Sequence, residues 1–171
     1  MAENRVLGQS GIQVSSVGLG CMGFSHAYGE PTEKGQAVRM IRGAYEMGYT
    51  FFDTAECYTG INPDGSTSYN EELVDYRSRM PQYTEEGFAA AEKLMQFLAE
   101  LGTEKQASSG QLSLAWMLCK KPWIIPIPGS RKEARILENL RSQDVVLSEE
   151  EIRRIDALLD TMDMPAYGRR S

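Results

Sequence analysis

With 171 residues, 42% of them hydrophobic and 25% charged, the chain has the composition of a soluble globular protein that buries one core, and a single domain spanning 1–171 is the expectation. Acidic residues outnumber basic ones 24 to 18, and the net charge of -6 repels phosphate backbones and anionic lipid, which argues against nucleic acid and membrane surfaces as partners. Cys21, Cys57 and Cys119 are widely spaced without a C-x-x-C pair, so neither a disulfide framework nor a metal site is indicated and a reducing cytoplasm is expected. No basic-then-apolar leader opens the chain and no apolar run approaches ~18 residues, so neither secretion nor membrane spanning is expected.

In chain order, R5-V-L-G-Q-S-G-I-Q-V-S15 reads as two short β segments around a Gln-Ser-Gly turn, a hairpin ahead of the main fold. S16-V-G-L-G20 reads as a buried strand and C21 to E30 as a loop. Pro31-Thr32 then opens a helix with Ala37, Ile41, Ala44 and Tyr45 on one face, stopped by Gly48. T50-F-F-D-T54 is the next strand, which completes a βαβ unit and predicts a parallel sheet with helices outside. From Gly60 to Tyr83 the pattern fades, apart from a short helical signal at Y69-N-E-E-L-V74. A helix follows from Thr84 to Leu101, stopped by Gly102, and a more buried one from Ser109 to Lys121, stopped by Pro122. Trp123 to Pro128 reads as a short proline-limited strand with Trp123 in the core, and a helix from Gly129 to Leu140 follows it directly. Ser148 and Glu151 form a capping box on a last helix to Leu159. No internal repeat or low-complexity segment interrupts this order.

Three features carry candidate chemistry. G18-L-G-C-M-G23 satisfies G-x-G-x-x-G, but about eight residues separate Gly23 from the next helix, whereas a dinucleotide fingerprint opens its helix directly. Those glycines read equally as small residues that let a strand and loop pack closely. Asp53 stands at the C-terminal end of a strand, where parallel α/β folds place their chemistry, and Tyr58 follows in a polar loop. A tyrosine hydroxyl can deliver a proton to a carbonyl oxygen, but its free pKa near ~10 calls for a cationic neighbour, which a carboxylate could hold in place. The alternative is that Asp53 caps a turn and Tyr58 packs over it. In I127-P-G-S-R-K-E-A-R135, a Gly-Ser pair at a helix start with Arg131, Lys132 and Arg135 close by points to a bound phosphate, and otherwise to a solvated basic face paired with Glu133 and Glu138.

Together V17-G-L-G-C-M-G23, F51-F-D-T-A-E-C-Y58, N70-E-E-L-V74, L112-S-L-A-W-M-L118 and W123-I-I-P-I-P-G-S-R-K-E-A-R-I-L-E-N-L140 resemble the aldo-keto reductase family. The resemblance implies a (β/α)₈ TIM-barrel type of fold, NADPH as cofactor and hydride transfer to a small aldehyde or ketone. It also implies that Tyr58 is the proton donor and Asp53 its supporting carboxylate. Ser130, Arg131 and Arg135 would bind the adenosine 2′-phosphate, with Glu138 and Asn139 facing the adenine. Gly20, Cys21 and Met22 would approach the cofactor or pocket floor, and Ile127 and Gly129 complete the cofactor-binding set.

The match is partial. A complete (β/α)₈ barrel takes about 250 residues, and the recognisable pieces are an N-terminal hairpin, the first two strand units and the last strand with its flanking helices. The similarity runs to Val74 and resumes at D75-Y-R-S-R-M-P-Q-Y-T84, which resembles the segment after the seventh strand, so the chain divides into 1–74 and 75–171. The family's catalytic lysine and histidine belong to the missing middle. His26 does not match that histidine, and no lysine ends an apolar strand. Two readings stand: a stretch of a longer barrel enzyme, or an internally deleted cofactor-binding remnant without turnover. Substrate and oligomeric state are not written in these motifs, although the His26 to Tyr28 region and the tail around Tyr167 could contribute to specificity.

Overall fold

The computed structural model describes residues 4–25, 27–55, 58 and 75–163. His26, Cys57, Tyr167, the helical signal at 69–74 and the Val74 side of the expected junction lie outside the described residues. The N-terminal hairpin forms as expected: β1 (Arg5–Val6) pairs antiparallel with β2 (Gln13–Val14). The predicted parallel pair also forms, β3 (Leu19–Gly20) against β4 (Phe52–Asp53), with Gly20 opposite Asp53. Both strands are shorter than the sequence suggests. Side chains extend their pairing at the N-terminal end, where the Ser15 N–H donates to Thr50 Oγ1 at 2.7 Å and the Thr50 N–H donates to Ser15 Oγ at 3.1 Å.

The Trp123–Pro128 segment is extended but is not a regular strand. It lies on the other side of β3, where Gly18 N–H reaches Pro126 O at 2.9 Å and Gly20 N–H reaches Pro128 O at 3.3 Å, and one parallel bridge joins Gly20 to Gly129. In a parallel ladder a residue's N–H and C=O face the same neighbour. Pro126 and Pro128 can therefore accept from β3 but cannot donate back, so only half of the ladder is made. Trp123 is not core: it is 66% exposed, with the Lys121 ammonium over its ring.

Helix boundaries move for local reasons. The loop after β3 contains a one-turn helix, α1 (Met22–Ser25), that buries Phe24. α2 (Lys34–Met47) starts three residues later than the Pro31 signal, because the Glu33 carboxylate accepts the Gly35 and Gln36 N–H groups as N-cap. Gly48 ends it in the left-handed conformation, as expected. Tyr45 is exposed; Tyr49, just past the helix, is fully buried instead. α3 (Glu85–Lys105) runs past Gly102 and stops at Gln106 in the left-handed conformation. Gly102 serves close packing rather than termination, since a Cβ there would lie 2.5 Å from Ala107 O. α4 (Ser109–Lys120) begins with a Ser108–Gln111 capping box, α5 (Glu133–Arg141) follows the extended segment, and α6 (Glu149–Asp160) carries the predicted Ser148–Glu151 box.

Two apolar clusters hold these parts. Val17 and Leu19 of the β3 segment pack with Phe24, Ala44, Tyr49, Ile136 and Leu140, so α2 and α5 cover one side of the sheet. Phe97, Leu98 and Leu101 of α3 pack with Leu112 and Ala115 of α4, Leu147, and Ile155 of α6. Each fully buried side chain of this kind stabilises by about 1.5–3 kcal/mol. Arg5 ties the hairpin to the far end of the chain: its guanidinium donates to Leu118 O at 2.6 Å, to Lys121 O at 2.8 Å and to Ile124 O. Among the described residues no helix is long and apolar enough to cross a membrane.

The buried Tyr49 hydroxyl donates to Ile136 O at 2.8 Å, and burial pushes its pKa upward, keeping it neutral. Tyr49→Phe removes one buried hydrogen bond between the α2–β4 connection and α5. It should cost about 1 kcal/mol, read as a lower urea midpoint with unchanged slope.

Candidate functional site

The three parallel extended segments end together. β4 ends on Asp53, β3 leads through Gly20 into Cys21 and α1, and Pro126–Gly129 leads into Ser130. The Cys21 N–H donates to Asp53 O at 2.9 Å, so the two strand ends stay in register up to the point where their loops diverge. Close approach requires glycine here: a Cβ on Gly20 would sit 2.7 Å from Ile127 O, and one on Gly129 would sit 3.0 Å from Gly20 O. The glycine pattern read from sequence is thus occupied with strand packing at Gly18 and Gly20, because a Cβ on Gly18 would meet Phe51 Cδ1 at 2.7 Å. Gly23 differs. Its Cβ position meets only Tyr28 Cδ2, at an ordinary 3.5 Å.

Above these strand ends lies a cavity of about 720 Å³, a size typical of small-molecule and cofactor sites. Gly20, Met22, Asp53 and Tyr58 line one part of it, and Ile127, Gly129, Ser130 and Arg131 another. Eight of the twelve residues singled out from sequence therefore meet in one place. The backbone of Tyr58 is held by its N–H to Ala55 O at 3.1 Å and by the Ser25 hydroxyl, which donates to Tyr58 O at 2.5 Å. Cys21 is not part of the lining. Its half-buried thiol is pushed up in pKa by burial and then by the Asp53 carboxylate.

Arg135, Glu138 and Asn139 also stand outside the lining, on α5. Arg135 donates to both Glu138 carboxylate oxygens at 2.7 Å. Glu138 also accepts from the Ser108 hydroxyl at the α4 N-cap, and that bond, then Arg135, holds its pKa below the usual carboxylate range. The helix does not begin at Gly129 or Ser130. Its N-cap is Lys132, and Glu133 occupies the first turn. The Ser130 hydroxyl accepts the Lys132 N–H at 3.1 Å, a local turn that competes with helix formation and keeps residues 130–132 as a loop leading to the helix. Arg131 reaches across this loop to donate to Tyr28 O and Glu30 O, each at 2.6 Å.

The lining also contains Arg77 and Tyr83, which the sequence did not single out, and three residues it named more loosely: Lys132 among the phosphate-side cations, Tyr28 as a possible contributor to specificity, and Gly23 in the glycine run. Arg77 follows the Asp75 N-cap of a 3-10 turn (Tyr76–Arg79), and its guanidinium lies 5.7 Å from the Tyr28 ring centroid. An Asp two residues before an Arg, opening a turn, is the one local signal that could have marked it. Among the described residues, Arg131, Lys132 and Arg77, the last itself paired with Asp75, line the cavity beside one lining carboxylate, Asp53, so the described lining is more basic than acidic in a chain of net charge -6. Such a site favours an anionic ligand. Among the described residues no cluster of His, Cys, Asp and Glu could hold a metal ion.

The description of the aldo/keto reductase family matches residues 16–75 and 67–160. The chain belongs to the aldo/keto reductase family. It is 35% identical over 88 residues to an aldo-keto reductase of Gibberella moniliformis, covering 52% of this chain and 26% of that protein. It is 31% identical over 90 residues to the aldo-keto reductase yakc (NADP(+)) of Schizosaccharomyces pombe, covering 53% of this chain and 26% of that protein. The chain thus spans about a quarter of the length of these curated relatives. An aldo-keto reductase of Bombyx mori, solved in complex with NADP, superposes with a TM-score of 0.60 at 15% identity, over 99% of this chain and 100% of that one. That likeness is one of fold; the described residues themselves form no closed barrel.

Asp75 accepts from Arg77 through its side chain and backbone, which lowers its pKa to about 2. Because the folded pKa is depressed, this stabilising contact is present above the free carboxyl's value and is lost as pH falls from about 4 towards 2. In a carboxyl-carbon NMR titration Asp75 should titrate near 2, and in Arg77→Gln the midpoint should rise towards about 3.9.

Proposed function

We propose that the chain carries the Asp53–Tyr58 and phosphate-binding parts of an NADPH-dependent carbonyl reductase. The observation that carries this reading is that Asp53 and Tyr58 share one cavity with Ser130, Arg131 and Lys132. The donor set suits a phosphorylated dinucleotide: a hydroxyl and cations on one wall, a carboxylate and a phenol on the other. When bound, NADPH supplies the hydride. Tyr58 delivers the proton to the carbonyl oxygen of a small aldehyde or ketone, and Asp53 holds the cation that makes the phenol a usable acid. Ser130 and Arg131 hold phosphate. Arg135 would hold the 2′-phosphate with them, giving up its pair with Glu138, and Glu138 and Asn139 would face the adenine. Gly20 to Met22, Ile127 and Gly129 give the backbone floor. The relatives' names support the cofactor, one carrying NADP(+) and another solved with NADP. In this reading β3, β4 and the Pro126–Gly129 segment are the first, second and last strands of a (β/α)₈ barrel.

A second reading rests on the length of the chain relative to its relatives. Residues 1–74 and 75–171 would then be the two ends of a barrel whose middle, with its catalytic lysine and histidine, is missing, and the 171-residue chain would bind the cofactor without turnover. Aldehyde-dependent NADPH oxidation separates the two. Activity that falls by about 10² or more in Tyr58→Phe supports the reductase. NADPH binding without oxidation supports the remnant. Arg135→Ala should weaken NADPH but leave NADH unchanged in titration calorimetry, and equal loss for both would remove Arg135 from the 2′-phosphate.

A further inference from the structure

Arg77 is not explained by the roles given above. Its Nε donates to Asp75 Oδ1 at 3.0 Å and Oδ2 at 3.2 Å, and its Nη2 donates to Oδ2 at 2.5 Å, so the carboxylate fixes one edge of the guanidinium. Asp75 is itself fixed, because it accepts the Arg77 backbone N–H at 2.9 Å as N-cap of the turn. The Tyr28 ring centroid lies 5.7 Å from the guanidinium carbon, within cation–π range. Among the described residues no acceptor faces Nη1, and half of the side chain is exposed, although it lines the cavity. An arginine held along one edge by a carboxylate, with an aromatic ring within cation–π range, presents its remaining donors in a preferred direction. That is the arrangement for two-point binding of an oxyanion, with little rotamer freedom left to lose.

The second cation supports the same conclusion. Arg131 binds the Tyr28 carbonyl, and its charge is felt by Asp75, so the two guanidinium groups flank Tyr28. One belongs to the segment after residue 74 and the other to the loop before α5. We infer that Arg77, positioned by Asp75 and Tyr28, is an anion-binding residue of the cavity that takes two oxygens of a phosphoryl or carboxylate group. The inference rests on the reductase reading only for the source of that group: the diphosphate of the dinucleotide, or a carboxylate carried by the carbonyl substrate.

The test is titration calorimetry of the full chain, unaltered and as Arg77→Gln and Arg77→Lys, with inorganic pyrophosphate, NADPH and 4-carboxybenzaldehyde. Loss of a charge-assisted, two-point contact should weaken the responsive ligand about tenfold or more in Arg77→Gln. Arg77→Lys keeps the charge without the fork and should fall between. It also guards against misfolding, with thermal unfolding of both variants as the control. Weakened pyrophosphate and NADPH together assign the site to the dinucleotide; a loss confined to the carboxylated aldehyde assigns it to the substrate. Pyrophosphate binding that depends on Arg77 in a chain that ignores NADPH leaves the anion site standing and ends the dinucleotide reading. If both variants bind all three ligands within about twofold of the unaltered chain, or the unaltered chain binds none of them, the assignment of Arg77 is wrong.

Discussion

The structure depends on a backbone arrangement centred on a few residues of β3. N–H groups alternate sides along this strand: Leu19 and Cys21 donate to Phe51 and Asp53, while Gly18 and Gly20 donate to Pro126 and Pro128. Each bond contributes about 1 kcal/mol net, which is modest, but the pattern fixes where the loops leave the sheet. Because Gly20 stands opposite both Asp53 and Gly129, the end of β4 and the approach to α5 open onto the same cavity. Any side chain at Gly20 would push Ile127 away and separate the two walls.

Charge follows from this geometry. The chain as a whole is acidic, yet among the described residues the loops gathered at the strand ends bring Arg77, Arg131 and Lys132 together around a single lining carboxylate. Acids are placed elsewhere for local reasons, such as Glu149, Glu150 and Glu151 in the first turn of α6, where they meet the positive end of the helix. The described lining is therefore richer in basic groups than the chain around it.

Much of this was legible in the sequence, and what was not has a physical pattern. Asp53, Tyr58 and the Gly129–Arg131 stretch could be read because strand ends are marked locally by an apolar run stopping on a polar residue. The hairpin, the parallel pair and the Ser148–Glu151 box were equally local. Helix starts were misplaced where a side chain competes with the backbone, as Glu33 does at α2 and Ser130 does before α5. The WIIPIP run has strand composition, but its prolines remove the donors that a full ladder needs. Gly102 carries the signature of a stop, yet it serves contact with Ala107, a partner visible only once the chain has turned. Tyr83 reaches the cavity only through contacts between distant segments, which no local window contains, and the Asp75–Arg77 spacing marks a turn but not the cavity it opens onto.

The Arg5 clamp has a consequence for the order in which the molecule is made. Its guanidinium closes on the carbonyls of Leu118, Lys121 and Ile124, more than a hundred residues downstream, and β3 likewise waits for Pro126 and Pro128. During synthesis the hairpin and the β3–α2–β4 unit emerge first, but the groups that anchor them do not yet exist. At about 5–20 residues per second, that interval lasts several seconds, during which the exposed edge of β3 has no permanent partner. Long-range closure of this kind slows folding and leaves the early part of the chain unanchored until residues 118–128 have been made.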